Sequence, residues 1–154
     1  MKTGRGYTLI EVIVVLAIMT MFMVIATPYF LGWLRQYQLN AATAVFANHL
    51  RAARLLAIYT GVQHQVQLKK FGEGNYYQVV ADPEVRDQVV PTIGRVVLDR
   101  RFGGVFMKSI PSSGRLTFFP RGTSNNGTIV LENTAGDRIT LVVNNFGRVK
   151  IESL

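Results

Sequence analysis

The residue best placed to do chemistry is Glu11, a single acid within an apolar run. From Val12 to Ala26 the only polar side chain is Thr20. A carboxylate in a stretch apolar enough for a membrane is costly and is by default functional. A cationic partner would offset that cost. The chemistry expected here is therefore ion pairing and not catalysis.

The flanks of this run predict a membrane anchor. With its apolar neighbours the run is long enough to span a hydrocarbon layer of ~30 Å. Lys2 and Arg5 precede it, and only Arg35 follows before Asn48. The positive-inside rule then predicts residues 1–6 in the cytoplasm and the body of the chain across the membrane.

A cleaved secretory signal peptide is the alternative interpretation of this stretch. It would need small residues at a cleavage site after the apolar core. The sequence from Ile25 to Phe30 includes Thr27, Pro28 and Tyr29 and makes a poor site. The apolar pattern also continues into an amphipathic helix, which favours the anchor.

The segment Gly6-Tyr7-Thr8-Leu9-Ile10-Glu11 resembles the processing site of type IV pilins and pseudopilins. The resemblance implies that a prepilin peptidase cuts between Gly6 and Tyr7 and methylates the new N-terminus. Glu11 would then be the fifth mature residue. The usual first residue is Phe, from which Tyr7 is a conservative departure. Pro28 falls where many family members have a proline that kinks the helix.

Processing would also supply the cation that Glu11 needs. Cleavage before Tyr7 creates a free amine, mostly protonated near neutral pH. Glu11 lies four residues further on and so shares a helix face with that amine. The amine of a neighbouring subunit could pair with Glu11 in lipid and dock subunits in register. The alternative is that Glu11 snorkels to the membrane interface without a partner.

A long helix, expected from about Tyr7 to Thr60, positions these residues. Its second half shows apolar residues at three- and four-residue steps, which predict one buried stripe. That stripe comprises Leu39, Ala42, Phe46, Leu50, Ala53 and Ala57. Gly61 is expected to end the helix.

Beyond Gly61 the apolar period changes to 2, which predicts strands. Alternation begins at residues 62–68, and strands are expected at about 76–81, 95–102, 104–108, 115–119, 128–133, 138–144 and 147–152, with an exposed loop at 82–93. The predicted fold class is α+β, a long helix packed on a C-terminal antiparallel β-sandwich or sheet. The domains expected are a leader at 1–6, a transmembrane and assembly helix at 7–34, an amphipathic helix at 35–61 and a β-rich head at 62–154.

The helix end, residues 50–57 with Gly61 and Val62, looks like that of the GspH/FimT minor pseudopilins. Residues 119–123 and 147–150 are similar to that family's C-terminal half. The resemblance implies a minor pilin or pseudopilin of a type II secretion system or type IV pilus. It also implies a bacterial inner-membrane location with a periplasmic head. The implied partners are other pilins or pseudopilins in a filament, the prepilin peptidase and the inner membrane.

DNA binding for natural transformation is the alternative function. Some relatives in the pilus branch bind DNA through a basic C-terminal segment of the form Gly-Arg-x-Arg. Here Lys150 replaces the second arginine and lacks its bidentate fork. Arg138, Arg148 and Lys150 are expected on two adjacent strands and could grip phosphates if they face the same way. The net charge of +8, or +6 without Lys2 and Arg5, favours anionic partners without choosing among them.

No residue pattern indicates an enzyme, a cofactor or a metal site. The chain has no cysteine. His49 and His64 are expected to be packed or hydrogen-bonded. The acids Asp82, Glu84 and Asp87 share a loop without an EF-hand pattern, so a solvated loop is expected. Neither a phosphate-binding glycine loop nor a nucleophile elbow is present.

Overall fold

The structure, a computed structural model, describes residues 8–70, 75–81, 88–90 and 93–153. The chain divides into two compact units, one ending at Leu34 and one beginning at Arg35. Helix α1, Leu9–Thr60, contributes to both. It contains a stretch long and apolar enough to cross a membrane, and none of that stretch is buried within the chain. The expected helix start at Tyr7 and the leader at 1–6 lie outside the described residues.

In the first unit, α1 continues through Pro28 without ending. The hydroxyl of Thr27 donates to the carbonyl of Met23 at 2.6 Å. Thr20 likewise donates to the carbonyl of Ala17 at 2.8 Å. Because both hydroxyls are satisfied within the helix, neither leaves an unpaired donor in apolar surroundings. The sequence predicted that the helix would continue through Pro28, and it does. The kink at Pro28 stays a prediction.

In the second unit, α1 buries one stripe along its length. The six residues predicted from their spacing are all fully buried, and Ala47 joins them. The helix ends at Thr60, and Gly61 follows with a φ of 70°. That left-handed conformation is readily adopted by glycine, which confirms the expected stop.

Nine strands in the described part of the chain form two antiparallel sheets. They are β1 His64–Lys69, β2 Tyr76–Ala81, β3 Gln88–Val89, β4 Arg95–Val97, β5 Phe106–Ser109, β6 Arg115–Phe118, β7 Gly127–Glu132, β8 Arg138–Val143 and β9 Val149–Ser153. The five-stranded sheet has the order β3-β2-β1-β6, and β4 also pairs with β2. The four-stranded sheet has the order β5-β7-β8-β9.

One apolar core joins the helix stripe to the inner faces of both sheets. It includes Phe46 and Leu50 from the helix, Val66 from β1 and Ile129 and Leu141 from the four-stranded sheet. Phe46 also stacks on a β2 tyrosine at a ring-centroid distance of 4.2 Å. The α+β fold class, with the helix stripe as part of the core, is confirmed.

Two local predictions were wrong. The strand expected over 95–102 ends at Val97, and Leu98–Phe102 forms a short helix, α2. Leu98 and Phe102 are four residues apart and share a helix face, while Gly103 ends α2 in a left-handed conformation. The loop expected at 82–93 contains β3, which pairs with the end of β2.

Candidate functional site

Glu11 lies in the first turn of α1, three residues after the residue that precedes the helix. The backbone N–H of Glu11 donates to Thr8 Oγ1 at 3.3 Å. Thr8 therefore acts as the N-cap and satisfies one of the donors left free at a helix start. A carboxylate in the first turn also interacts favourably with the helix dipole. The sequence interpretation missed this cap, although the pattern Thr-x-x-Glu was visible.

The surroundings of Glu11 are apolar. A shallow groove of about 300 Å³ runs along Glu11, Val12, Val15 and Leu16. Val12, Val15 and Leu16 each expose about half of their surface within the single chain. An acid on such a face has apolar neighbours and no cation of its own chain among the described residues. Gly6 and Tyr7, the expected processing residues, lie outside the described residues.

Two of the three predicted DNA-contacting residues form ion pairs on the outer face of the four-stranded sheet. Arg138 Nε binds Glu132 Oε2, and Lys108 Nζ lies 3.3 Å from Glu132 Oε1. Lys150 Nζ lies 2.8 Å from Glu152 Oε1. Hydrogen bonds from Arg138 and Lys108 lower the pKa of Glu132 despite its burial, so this acid stays ionised.

Arg138 begins β8, whereas Lys150 of β9 lies beside the other end of β8, and both face the same way. Lys150 is the register partner of Val142, four residues beyond Arg138. Four strand residues span about 13 Å. Arg148 lies in the turn before β9 and not on a strand, which corrects the prediction that all three residues are on adjacent strands. The three cations are therefore not brought into one cluster.

The turn that contains Arg148 packs against the Gly122 turn and Arg54 of the helix. Arg54 of α1 donates its Nε–H to the carbonyl of Gly122 at 2.9 Å. A Cβ on Gly147 would lie 2.5 Å from that same carbonyl oxygen and 2.7 Å from Arg54 Nε. Arg121 and Arg148 are the chain neighbours of these two glycines, and both are exposed.

Both histidines have hydrogen-bond partners. His49 Nδ1 lies 2.7 Å from the Tyr77 hydroxyl, and His64 Nδ1 lies 3.1 Å from the carbonyl of Val62. Burial, and then the charge of Arg101, lower the pKa of His49. Burial raises the pKa of Tyr77. The two histidines thus have the structural roles predicted for them.

Across the described ranges, no group of three or more His, Cys, Asp or Glu side chains could hold a metal ion. The loop acids Asp82, Glu84 and Asp87 lie outside those ranges. The contacts observed at the candidate residues are ion pairs and hydrogen bonds.

Two family models match the chain. Residues 42–147 match the family described as type II transport protein GspH. Residues 1–27 match the prokaryotic N-terminal methylation motif. The first match covers most of the described second unit, and the second covers the apolar segment with Glu11. No curated protein sequence is similar enough to match the chain.

Solved structures of two proteins resemble this fold. The minor pseudopilin EpsH of the Vibrio cholerae type 2 secretion system aligns with a TM-score of 0.59 at 11% identity, over 75% of this chain and 97% of EpsH. The type IV minor pilin FimU of Pseudomonas aeruginosa aligns with a TM-score of 0.58 at 18% identity, over 78% of this chain and 92% of FimU. At these identities the likeness is one of fold.

Proposed function

Because this chain belongs to the GspH family of type II transport proteins, we propose that it is cut after Gly6 and incorporated into a filament through Glu11. It is a minor pilin or pseudopilin of a type II secretion system or a type IV pilus. Proteins of this kind assemble with other pilins. Assembly, and not catalysis, is therefore the activity to be explained.

The observation that carries the proposal is the exposed apolar segment with one acid in its first turn. Every large apolar side chain from Leu9 to Ile25 is exposed within the single chain. Lipid can cover these side chains before assembly, and other subunits can cover them afterwards. Glu11 is the only ionisable side chain between Leu9 and Ile25, and apolar surroundings penalise its charge. A neighbour's N-terminal amine would offset that penalty and so favour the assembled state.

The membrane arrangement follows from the same segment. Lys2 and Arg5 precede it, so the leader would stay in the cytoplasm, where it meets the prepilin peptidase. The second unit would then lie in the periplasm. Removal of the leader leaves a single-pass inner-membrane protein with a free amine at Tyr7, which methylation would modify.

Recovery of the chain in sheared filaments tests this proposal. In cells that produce the peptidase and the other pilins, wild-type chain should appear in the filament fraction. Glu11→Ala should remain in the membrane fraction at normal abundance, because insertion depends on the apolar run. Thr20→Ala is the matched control, since it removes a polar group from the same segment without removing a charge. Equal recovery of Glu11→Ala and wild type in the filament fraction would refute the pairing of Glu11 with a neighbour's N-terminal amine.

DNA capture is a second candidate function, and one observation favours it. Arg148 is exposed and has no ion pair among the described residues, unlike Arg138 and Lys150. Phe146 in the same turn is 71% exposed. A cation beside an exposed aromatic ring can hold a phosphate and stack a base. We therefore assign this candidate function to the Arg148 turn, with Arg121 close by.

A further inference from the structure

A separate surface, on the outer side of the five-stranded sheet, has the features of a binding site. Val66 and Leu68 of β1 point into the core. Gln65, Gln67 and Lys69 alternate with them along the strand and therefore point to the opposite, outer face. We call this surface the glutamine face. It comprises Gln65, Gln67, Gln78 and Thr117 with the cations Lys69, Arg95 and Arg115.

The glutamines form a directed chain of hydrogen bonds. Gln78 Nε2 donates to Gln67 Oε1 at 2.9 Å. Gln67 Nε2 donates to Gln65 Oε1 at 3.4 Å, and Gln65 Nε2 donates to Thr117 Oγ1 at 3.3 Å. Gln65 is buried and anchors the chain, whereas Gln67 and Gln78 are partly exposed. Each of these two amides keeps a second N–H and a free lone pair, so they present donors and acceptors in fixed orientations. Such preorganised groups lose little entropy when they bind a ligand.

All the charged side chains that the described strands place on this face are positive. The five strands of the sheet contain no acidic residue. Arg115 pairs in register with Gln67, and Gln78 pairs with Arg95, so one row across four strands reads Arg-Gln-Gln-Arg. The row is about 14 Å wide, at roughly 4.8 Å per strand. Lys69 lies diagonally from Arg115 on the same face.

A cleft of about 210 Å³ opens between two of these cations. Its lining residues are Gln65, Gln67, Lys69, Ser113, Gly114 and Arg115. Diagonal positions on adjacent strands are about 7–8 Å apart. Two cations at that spacing, above amide donors, suit an oxyanion that enters between them. Lys69 and Arg115 are exposed, and neither forms an ion pair within the described ranges.

We propose that the glutamine face binds an extended acidic segment of a partner protein. Successive outward side chains of a strand are about 7 Å apart, which matches the Lys69–Arg115 diagonal. The glutamine carbonyls can accept from peptide N–H groups, whereas a phosphodiester backbone has no donor to offer them. The Tyr76 ring is covered by the guanidinium of Arg95 at 4.0 Å, so it provides no open platform for a base.

Fluorescence anisotropy with a labelled Glu-Ser repeat peptide tests this inference on the full chain in nonionic detergent. The peptide should bind saturably and more weakly as salt rises, because exposed charges are screened. Lys69→Gln with Arg115→Gln should weaken binding at least about tenfold, since two charge-assisted contacts are lost. Gln67→Ala should weaken it severalfold without changing the net charge.

Arg35→Gln with Arg51→Gln is the matched control, because it removes two exposed charges from α1. Binding by this variant should equal that of the wild-type chain. An equal loss in both double variants would show nonspecific attraction and overturn the proposal. The absence of saturable binding at low salt would do the same. Tighter binding of an oligothymidine strand than of the peptide would assign the face to nucleic acid instead.

Discussion

The backbone N–H of Glu11 lies 3.3 Å from Thr8 Oγ1, so the acid assigned to assembly is also the third residue of a capped helix. The cap and the charge can be separated by substitution. Glutamine at this position keeps the backbone N–H that Thr8 caps and has no charge. Thr8→Ala removes the cap and keeps the acid.

We expect Glu11→Gln to be absent from sheared filaments and Thr8→Ala to be recovered in them. Thr8→Ala should cost only about 1 kcal/mol of helix stability, which is too little to block assembly. Immunodetection in the filament and membrane fractions provides the measurement. If Glu11→Gln assembled normally and Thr8→Ala did not, the acid would be a cap and not a pairing group.

For the DNA-binding candidate, Arg148→Gln should reduce retardation of labelled DNA by the full chain. The effect should be of the order of tenfold at low salt and should decrease as salt rises. Lys150→Gln is the matched control and should change binding little, because Glu152 already pairs with that ammonium. The same retardation by wild type and Arg148→Gln would exclude the Arg148 turn as a DNA contact.

Gly147 should be one of the least replaceable residues of the second unit. Gly147→Ala would place a Cβ 2.5 Å from the Gly122 carbonyl oxygen at a φ of 69°. Gly136→Ala is the control, since Gly136 has a φ of 92° with open space around the added Cβ. The strained backbone alone costs about 1–2 kcal/mol.

The free energy of unfolding, from chemical denaturation followed by circular dichroism, should therefore fall further for Gly147→Ala than for Gly136→Ala. The difference between the two losses in free energy measures how much the contact of the Gly147 turn with the Gly122 turn and Arg54 contributes to stability. Equal losses would mean that the contact of the Gly147 turn with the Gly122 turn and Arg54 contributes little to stability.

His49 should make stability depend on pH. Burial lowers its pKa from the ordinary value of 6.5, so the folded chain binds fewer protons than the unfolded chain below that pH. The free energy of unfolding should therefore decrease from pH 7 to pH 5. His49→Gln should flatten this decrease. The window lies above the range in which Glu132, with its lowered pKa, becomes protonated. An unchanged slope in His49→Gln would contradict the assignment.

Periodicity predicted the parts of the fold that are long enough to show it. The stripe from Leu39 to Ala57 covers five turns, and all six predicted residues are buried. The five residues of Leu98–Phe102 are too few to reveal a helical period, so they fall within the strand predicted over 95–102. Local pattern was thus sufficient for α1 and insufficient for α2.

The same distinction applies to the candidate sites: some can be recognised from local sequence, and others depend on how distant strands pair. Glu11 could be identified from sequence because its significance lies in the apolar run around it. The neutralisation of Arg138 by Glu132 could not, because it depends on the register between β7 and β8. The glutamine face likewise depends on four strands that come from three separate parts of the chain. Side-chain spacing along one strand does not predict which residues face one another across a sheet.

The central claim is that proteolysis creates the amine that neutralises Glu11 in a neighbouring subunit. Mass spectrometry of the N-terminus, on chain purified from cells that produce the peptidase, tests this claim most directly. The mature chain should begin with a methylated Tyr7, Gly6→Val should retain Met1, and Gly4→Val should be processed as the wild type is. A wild-type chain that begins at Met1, or beyond Ala26, would contradict the account.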